Sequence, residues 1–181
     1  MRERKILRLD AGALWEYALK TLSRRAHSVG ELRQKLANRA ARREDIDDIL
    51  ARLKEHRYLD DRRYAEGFAA ARLTNDKLGK SRVIGELRRR RVAPPLAGSI
   101  VEKVYEGVDE EALIEAWIRR KYRATPRECL FQEDKDLASA YRRLLHAGFR
   151  PGNIVKVLKR FAKNPDLLDA FEPPEPGLDQ E

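Results

Sequence analysis

The sequence predicts an all-α chain, an elongated array of three tandem three-helix, helix-turn-helix-like repeats. Three observations predict it: an apolar pattern that recurs three times, helix-start residues at matching places, and a charge-rich composition. Of the 181 residues, 38% are charged and 7% aromatic, with ten glycines and eight prolines. That mix favours small amphipathic helices over one large core or a turn-rich sandwich.

The pattern begins with Leu32, Leu36, Ile46, Ile49, Leu50 and Leu53, the stripe of two short amphipathic helices joined by a bend. Fifty-one residues later it returns as Val83, Leu87, Ala97, Ile100, Val101 and Val104. After a further 57 it returns as Ala140, Leu144, Ile154, Val157, Leu158 and Phe161. The bends carry a matching apolar residue at Ala41, Val92 and Phe149. A third helix precedes each pair. Asp10 caps one running through Leu14, Ala18 and Leu22; Asp60 or Asp61 caps one through Tyr64, Phe68, Ala69 and Leu73. Asp109 caps the last, through Leu113, Ala116, Trp117 and Tyr122. An aspartate there accepts bonds from free first-turn amides, and Glu110 and Glu111 suit the positive end of the helix.

Ser28 and Glu31 form an S-x-x-E capping box. Pro94 or Pro95, and Pro151, fit first turns, where a missing amide costs little. Gly148 falls where a helix turns left-handed to stop. Its equivalents are Ala40 and Arg91, where a side chain in that conformation costs roughly 1 kcal/mol, so those two bends are expected to be built differently. The connector Arg123–Glu133, with Pro126 and Cys129, is expected to be the most irregular loop. The expected organisation is a basic segment over 1–12, repeats over 13–59, 60–107 and 108–164, and an acidic, proline-containing tail over 165–181. Small triplets of this kind bury their apolar faces by stacking on one another.

No catalytic set emerges. His27, His56 and His146 have no metal-ligand spacing to each other or to Cys129, so no metal and no cofactor is expected. Gly79-Lys80-Ser81 looks like the end of a phosphate-binding loop, but Thr74 stands where that motif needs glycine and no strand precedes it. No apolar run approaches the ~20 residues that span a membrane, and MRERKILRLD lacks the features of a signal peptide. The expected setting is cytoplasmic, with no membrane partner.

The net charge of +9 divides into +15 over residues 1–164 and −6 over residues 165–181. A basic body suggests a polyanionic or acidic partner. The candidate binding residues are Arg39, Arg42 and Arg43 at the first bend; Arg72, Lys77, Lys80, Arg82, Arg88, Arg89 and Arg90 in the second repeat; and Arg142 and Arg143 in the third. Stacked in register, these would form a basic stripe with salt-dependent affinity. In the tail, Leu167, Leu168 and Phe171 suggest one apolar helical turn stopped by Pro173-Pro174, and this segment could fold back on the stripe.

Four segments carry a family resemblance: Arg24-Arg25 with SVGELRQKL, Tyr58-Leu59-Asp60-Asp61 followed by Arg62, Tyr64, Ala65 and Phe68, GKSRVIGELRRRRV over 79–92, and LLHAGF over 144–149. In order and spacing they resemble the RecX proteins, over about residues 13–163. The family's usual bend glycine is replaced by Ala40 in the first repeat and Arg91 in the second. The resemblance implies tandem three-helix repeats that lie along the groove of a RecA–DNA filament. It further implies a monomer that suppresses ATPase, strand-exchange and co-protease activity by binding RecA and, non-specifically, single- and double-stranded DNA. A sequence-specific helix-turn-helix DNA-binding regulator is the alternative, and a purely structural adaptor a third reading. The second helix of each pair weighs against the former: Glu44, Asp45, Asp47 and Asp48 would repel phosphates, and only Asn153, Lys156, Lys159 and Arg160 look suited to bases.

Overall fold

The computed structural model describes residues 8–124, 130–131 and 133–162. Among them are nine α-helices and no strand: α1 (Ala11–Arg24), α2 (Val29–Ala37), α3 (Glu44–Glu55), α4 (Asp61–Ala71), α5 (Lys80–Arg89), α6 (Pro94–Val104), α7 (Glu110–Lys121), α8 (Asp134–His146) and α9 (Pro151–Lys159). A π-helical turn, Arg72–Asp76, extends α4. The helices form three triplets, α1–α3, α4–α6 and α7–α9, an all-helical repeat array.

The helix starts follow from their caps. The Asp10 carboxylate accepts from the Ala13 amide at 2.9 Å, and the Asp109 carboxylate accepts from those of Glu111 and Ala112. The Ser28–Glu31 box is complete, α6 opens on Pro94, and Pro151 fills the first turn of α9. The adjacent aspartates of the second triplet divide their work. Asp60 accepts from the amides of Arg62 and Arg63 at the start of α4. Asp61 reaches across to accept from the Val29 amide at 2.7 Å, satisfying a free donor of α2.

The chain divides into two compact units, Met1–Ala70 with Ile84–Val104, and Ala71–Val83 with Tyr105–Glu181. The first holds a core of Leu14, Ala18, Leu32, Leu36, Leu50 and Leu53. Each such leucine contributes about 1.5–3 kcal/mol by leaving water. Arg52 lies over the Trp15 ring at 4.1 Å, covering its open face. In the second unit α9 packs on α7 and α8, burying Ile114, Ile118, Leu144, Ile154, Val157 and Leu158 completely.

The repeated stripe is buried throughout, apart from Val104, which is half-buried. The α7 face differs from expectation: Leu113, Ile114 and Ile118 are buried, whereas Ala116, Trp117 and Tyr122 are only partly so. The first bend also differs. Ala40 is buried and Ala41 exposed, because the chain there has no left-handed residue and instead bridges in parallel to Leu9. Arg91, by contrast, takes the left-handed conformation of Gly148, with φ of 61° against 90°. Both bends close alike, the Val92 amide donating to the Leu87 carbonyl and that of Phe149 to Leu144. Only the first bend is built differently. Pro126 and Cys129 lie outside the described residues, as does the acidic segment 165–181.

Neighbouring triplets meet through a repeated joint. Within the first unit the Ser28 hydroxyl donates to the Arg90 carbonyl. Within the second, the amide of Gly79, which is the equivalent of Ser28, donates to the carbonyl of Ala147, the equivalent of Arg90, at 2.8 Å. The corresponding carbonyl of the first bend, Arg39, accepts from the Leu9 amide at 2.8 Å. One acceptor position is thus filled three times, by a hydroxyl, a helix-start amide and the N-terminal segment.

Candidate partner interface

The predicted cations occupy different settings. At the first bend the Arg39 guanidinium lies over the Tyr17 ring at 5.3 Å. Arg42 pairs with Asp45 at 2.9 Å, and that bond and charge raise its pKa. Arg43 is exposed at the head of α3 and makes no ion pair with a described residue. In the second triplet Arg72 pairs with Asp76 at 2.7 Å. Lys77 is half-buried in the left-handed conformation that ends the π turn. Lys80 is half-buried and Arg82 exposed on the first turn of α5. Arg88 and Arg89 are exposed at its end, with no ion pair to a described residue. Arg142 is exposed on α8, and Arg143 donates to the Tyr122 hydroxyl at 3.3 Å.

Arg90 stands apart from its two neighbours. Its guanidinium lies over the Phe68 ring at 4.8 Å and reaches both Glu31 and the Tyr64 hydroxyl at 3.4 Å. Glu31 also meets Arg25 at 3.4 Å and accepts from the Ser28 amide. Burial pushes the Glu31 carboxyl up, but the bonds from Arg25 and Ser28, with the charges of Arg25 and Arg90, outweigh it. Its pKa therefore lies below the ordinary carboxylate value. Arg90 is a strut of the first joint.

Gly79-Lys80-Ser81 serves the second joint. The Gly79 amide is committed to Ala147, and a Cβ at Gly79 would collide with the Gly148 carbonyl. Polar side chains of α9 and its C-cap are paired with α7. Asn153 donates to Glu110, Lys156 pairs with Glu111, and Arg160 bonds both Glu111 and Glu115. Three of the four residues suited to reading bases are therefore tied to α7.

A basic groove escaped the sequence reading. It lies in the first unit, where two clefts of about 690 and 480 Å³ share Arg57, Asp60 and Arg63. Lys54, Arg57, Arg62 and Arg63 supply its positive charge. Leu22, Ala26, Tyr58 and Phe68 supply apolar lining. Its signal in the sequence was the run Arg57-Tyr58 followed by Arg62-Arg63. The intervening aspartates read as helix caps, whereas the cations beside them carry no periodic signal. The His27 imidazole, also in the wall, is buried, and burial lowers its pKa below the usual histidine value, so it is neutral at pH 7.

The model of the RecX first three-helix domain matches residues 15–53, and that of the second three-helix domain matches residues 60–98. Regulatory protein RecX of Trichlorobacter lovleyi is 33% identical over 120 residues, covering 57% of this chain and 78% of that protein. This chain belongs to the RecX family. Regulatory protein RecX of Halorhodospira halophila is 34% identical over 111 residues, covering 61% of this chain and 66% of its own length. Among solved structures, RecX from Lactobacillus salivarius shares the fold with a TM-score of 0.66 at 16% identity, covering 83% of this chain and 96% of that one. These RecX relatives are named as regulatory proteins, not enzymes. No helix among the described residues of this RecX chain is long and apolar enough to cross a membrane.

Proposed function

We propose that this RecX-family chain acts as a non-enzymatic regulator that binds a RecA–DNA filament along its groove and lowers its ATPase, recombinase and co-protease activities. Family membership supports the regulatory role. The observation that carries the binding mode is the set of exposed cations Arg43, Arg88, Arg89 and Arg142, which make no ion pair with described residues. Cations left open in this way interact with phosphates or carboxylates of a partner, with an affinity that falls as salt rises.

The sequence-specific alternative is weakened at α9 and its C-cap, where Asn153, Lys156 and Arg160 pair with Glu110, Glu111 and Glu115. A recognition helix must present such side chains to base edges.

The test is titration into a RecA–single-stranded DNA–ATP reaction. The parent chain lowers ATP hydrolysis in a dose-dependent way. An Arg88→Ala/Arg89→Ala variant, which leaves the Arg90 strut in place, needs about tenfold more protein for the same effect, from two charge-assisted contacts. Full ATP turnover at saturating parent protein removes the reading.

A further inference from the structure

Four cations surround the groove of the first unit, and the two acids on its wall are already engaged. Asp60 accepts from the amides of Arg62 and Arg63, and Asp61 accepts from that of Val29. Lys54, Arg57, Arg62 and Arg63 make no ion pair with a described residue. Beside them Tyr58 is the one large hydrophobic side chain left exposed among the described residues, at 60%. An exposed aromatic among unpaired arginines is the composition of an interface centre.

We propose that this groove is a docking site for an acidic peptide segment of a partner protein, anchored by one aromatic or leucine side chain. The anchor packs against Tyr58 and the apolar wall of Leu22, Ala26 and Phe68, and the peptide's carboxylates meet Arg57 and Arg63. A nucleic-acid strand fits less well, for two reasons. Its phosphates follow one another at even spacing, so one must pass the Asp60 carboxylate between the arginines, whereas a peptide places its charges selectively. A strand also stacks successive bases on successive open rings, and here only Tyr58 is exposed, since Phe68 is overlaid by Arg90 at 4.8 Å and stacked with Tyr64 at 6.2 Å. The inference goes beyond the filament reading and does not depend on it.

The probe is a fluorescent peptide of aspartates and glutamates around one central phenylalanine, titrated with the full chain at low salt and without recombinase or DNA. Saturable binding is expected. Tyr58→Ala weakens it about tenfold, as loss of a central aromatic contact does. Arg57→Gln with Arg63→Gln weakens it about fivefold, and added salt weakens it further. Replacing the peptide's phenylalanine by alanine lowers affinity to a similar degree. All three positions are at the surface, so unchanged thermal melts verify the fold of the variants. Absence of binding overturns the proposal, as does binding indifferent to Tyr58 and both arginines. Displacement of the peptide by oligothymidylate at lower concentration than by unlabelled peptide also overturns it, in favour of a nucleic-acid groove.

Discussion

The two joints between triplets use the same acceptor position and opposite chemistry. At the first, side chains make the bonds: the Ser28 hydroxyl meets the Arg90 carbonyl, and Glu31 gathers Arg25 and Arg90, the latter lying over the Phe68 ring. At the second, backbone meets backbone. Gly79 lies against Gly148, a Cβ on either would collide with its neighbour, and the bond runs from amide to carbonyl. The first joint is equally tight where main chains meet, because a Cβ at Gly30 would collide with the Cβ and carbonyl of Arg91. Neither joint has slack at its glycine, since close-packed backbone forces any added atom to displace main chain. Repeat arrays are often described as a sum of equivalent interfaces. Here equivalent and equally close geometry is held by different bonds.

The sharpest way to break that contrast is to add a methyl group at the second joint. Gly79→Ala or Gly148→Ala should each cost about 3 kcal/mol, with backbone strain added at Gly148 because of its φ of 90°. In a chain of this length that lowers the melting temperature by about 6–12 °C in calorimetry. A loss below 2 °C at both sites would show that the backbone there yields easily.

A smaller effect is expected at the hub of the first joint. Glu31→Gln should cost about 1–2 kcal/mol at pH 7, since Arg90 and Arg25 lose their charged acceptor. The sign with pH follows from the depressed folded-state pKa of Glu31. Its stabilisation is complete above the unfolded value of about 4.5 and is lost as pH falls through the lower folded value. Urea titrations of parent and variant should therefore differ at pH 7 and converge in acid. A gap that stays constant with pH would assign the cost to packing.

Leu9→Pro removes the amide that fills the first-bend acceptor and should cost about 1 kcal/mol, read as a lower urea midpoint at unchanged slope. The smallest change expected is a gain. Arg91→Gly relieves left-handed strain of about 1–2 kcal/mol, partly offset by the extra freedom of glycine when unfolded, leaving about 0.5 kcal/mol of stabilisation. Destabilisation by Arg91→Gly would mean that its side chain contributes to the joint beyond its backbone.

The periodic apolar stripe made the triplets legible because burial acts through spacing, and spacing is written directly in the sequence. Caps were legible for a similar reason: Asp10, Ser28 and Asp109 act on amides two or three residues away. What escaped notice depends on distant pairs. Asp61 serves an amide 32 residues earlier, and Arg90 serves a carboxylate 59 residues earlier. Arg88, Arg89 and Arg90 are identical as letters, yet the third is held by a ring and a carboxylate that only folding supplies. The groove arginines were overlooked because their meaning comes from Tyr58 being left exposed, which no periodicity encodes. The bend at Arg91 went against expectation because a strain near 1 kcal/mol is small beside the burial of Val92 that it permits.

The bond from Leu9 to Arg39 has a practical consequence. The front socket of the array accepts a short extended segment as readily as its counterparts accept the start of a helix. A truncation that removes that segment would open an unsatisfied carbonyl beside Ala40, and with it a sticky edge. Trimming the chain past Leu9 is therefore a change that favours aggregation.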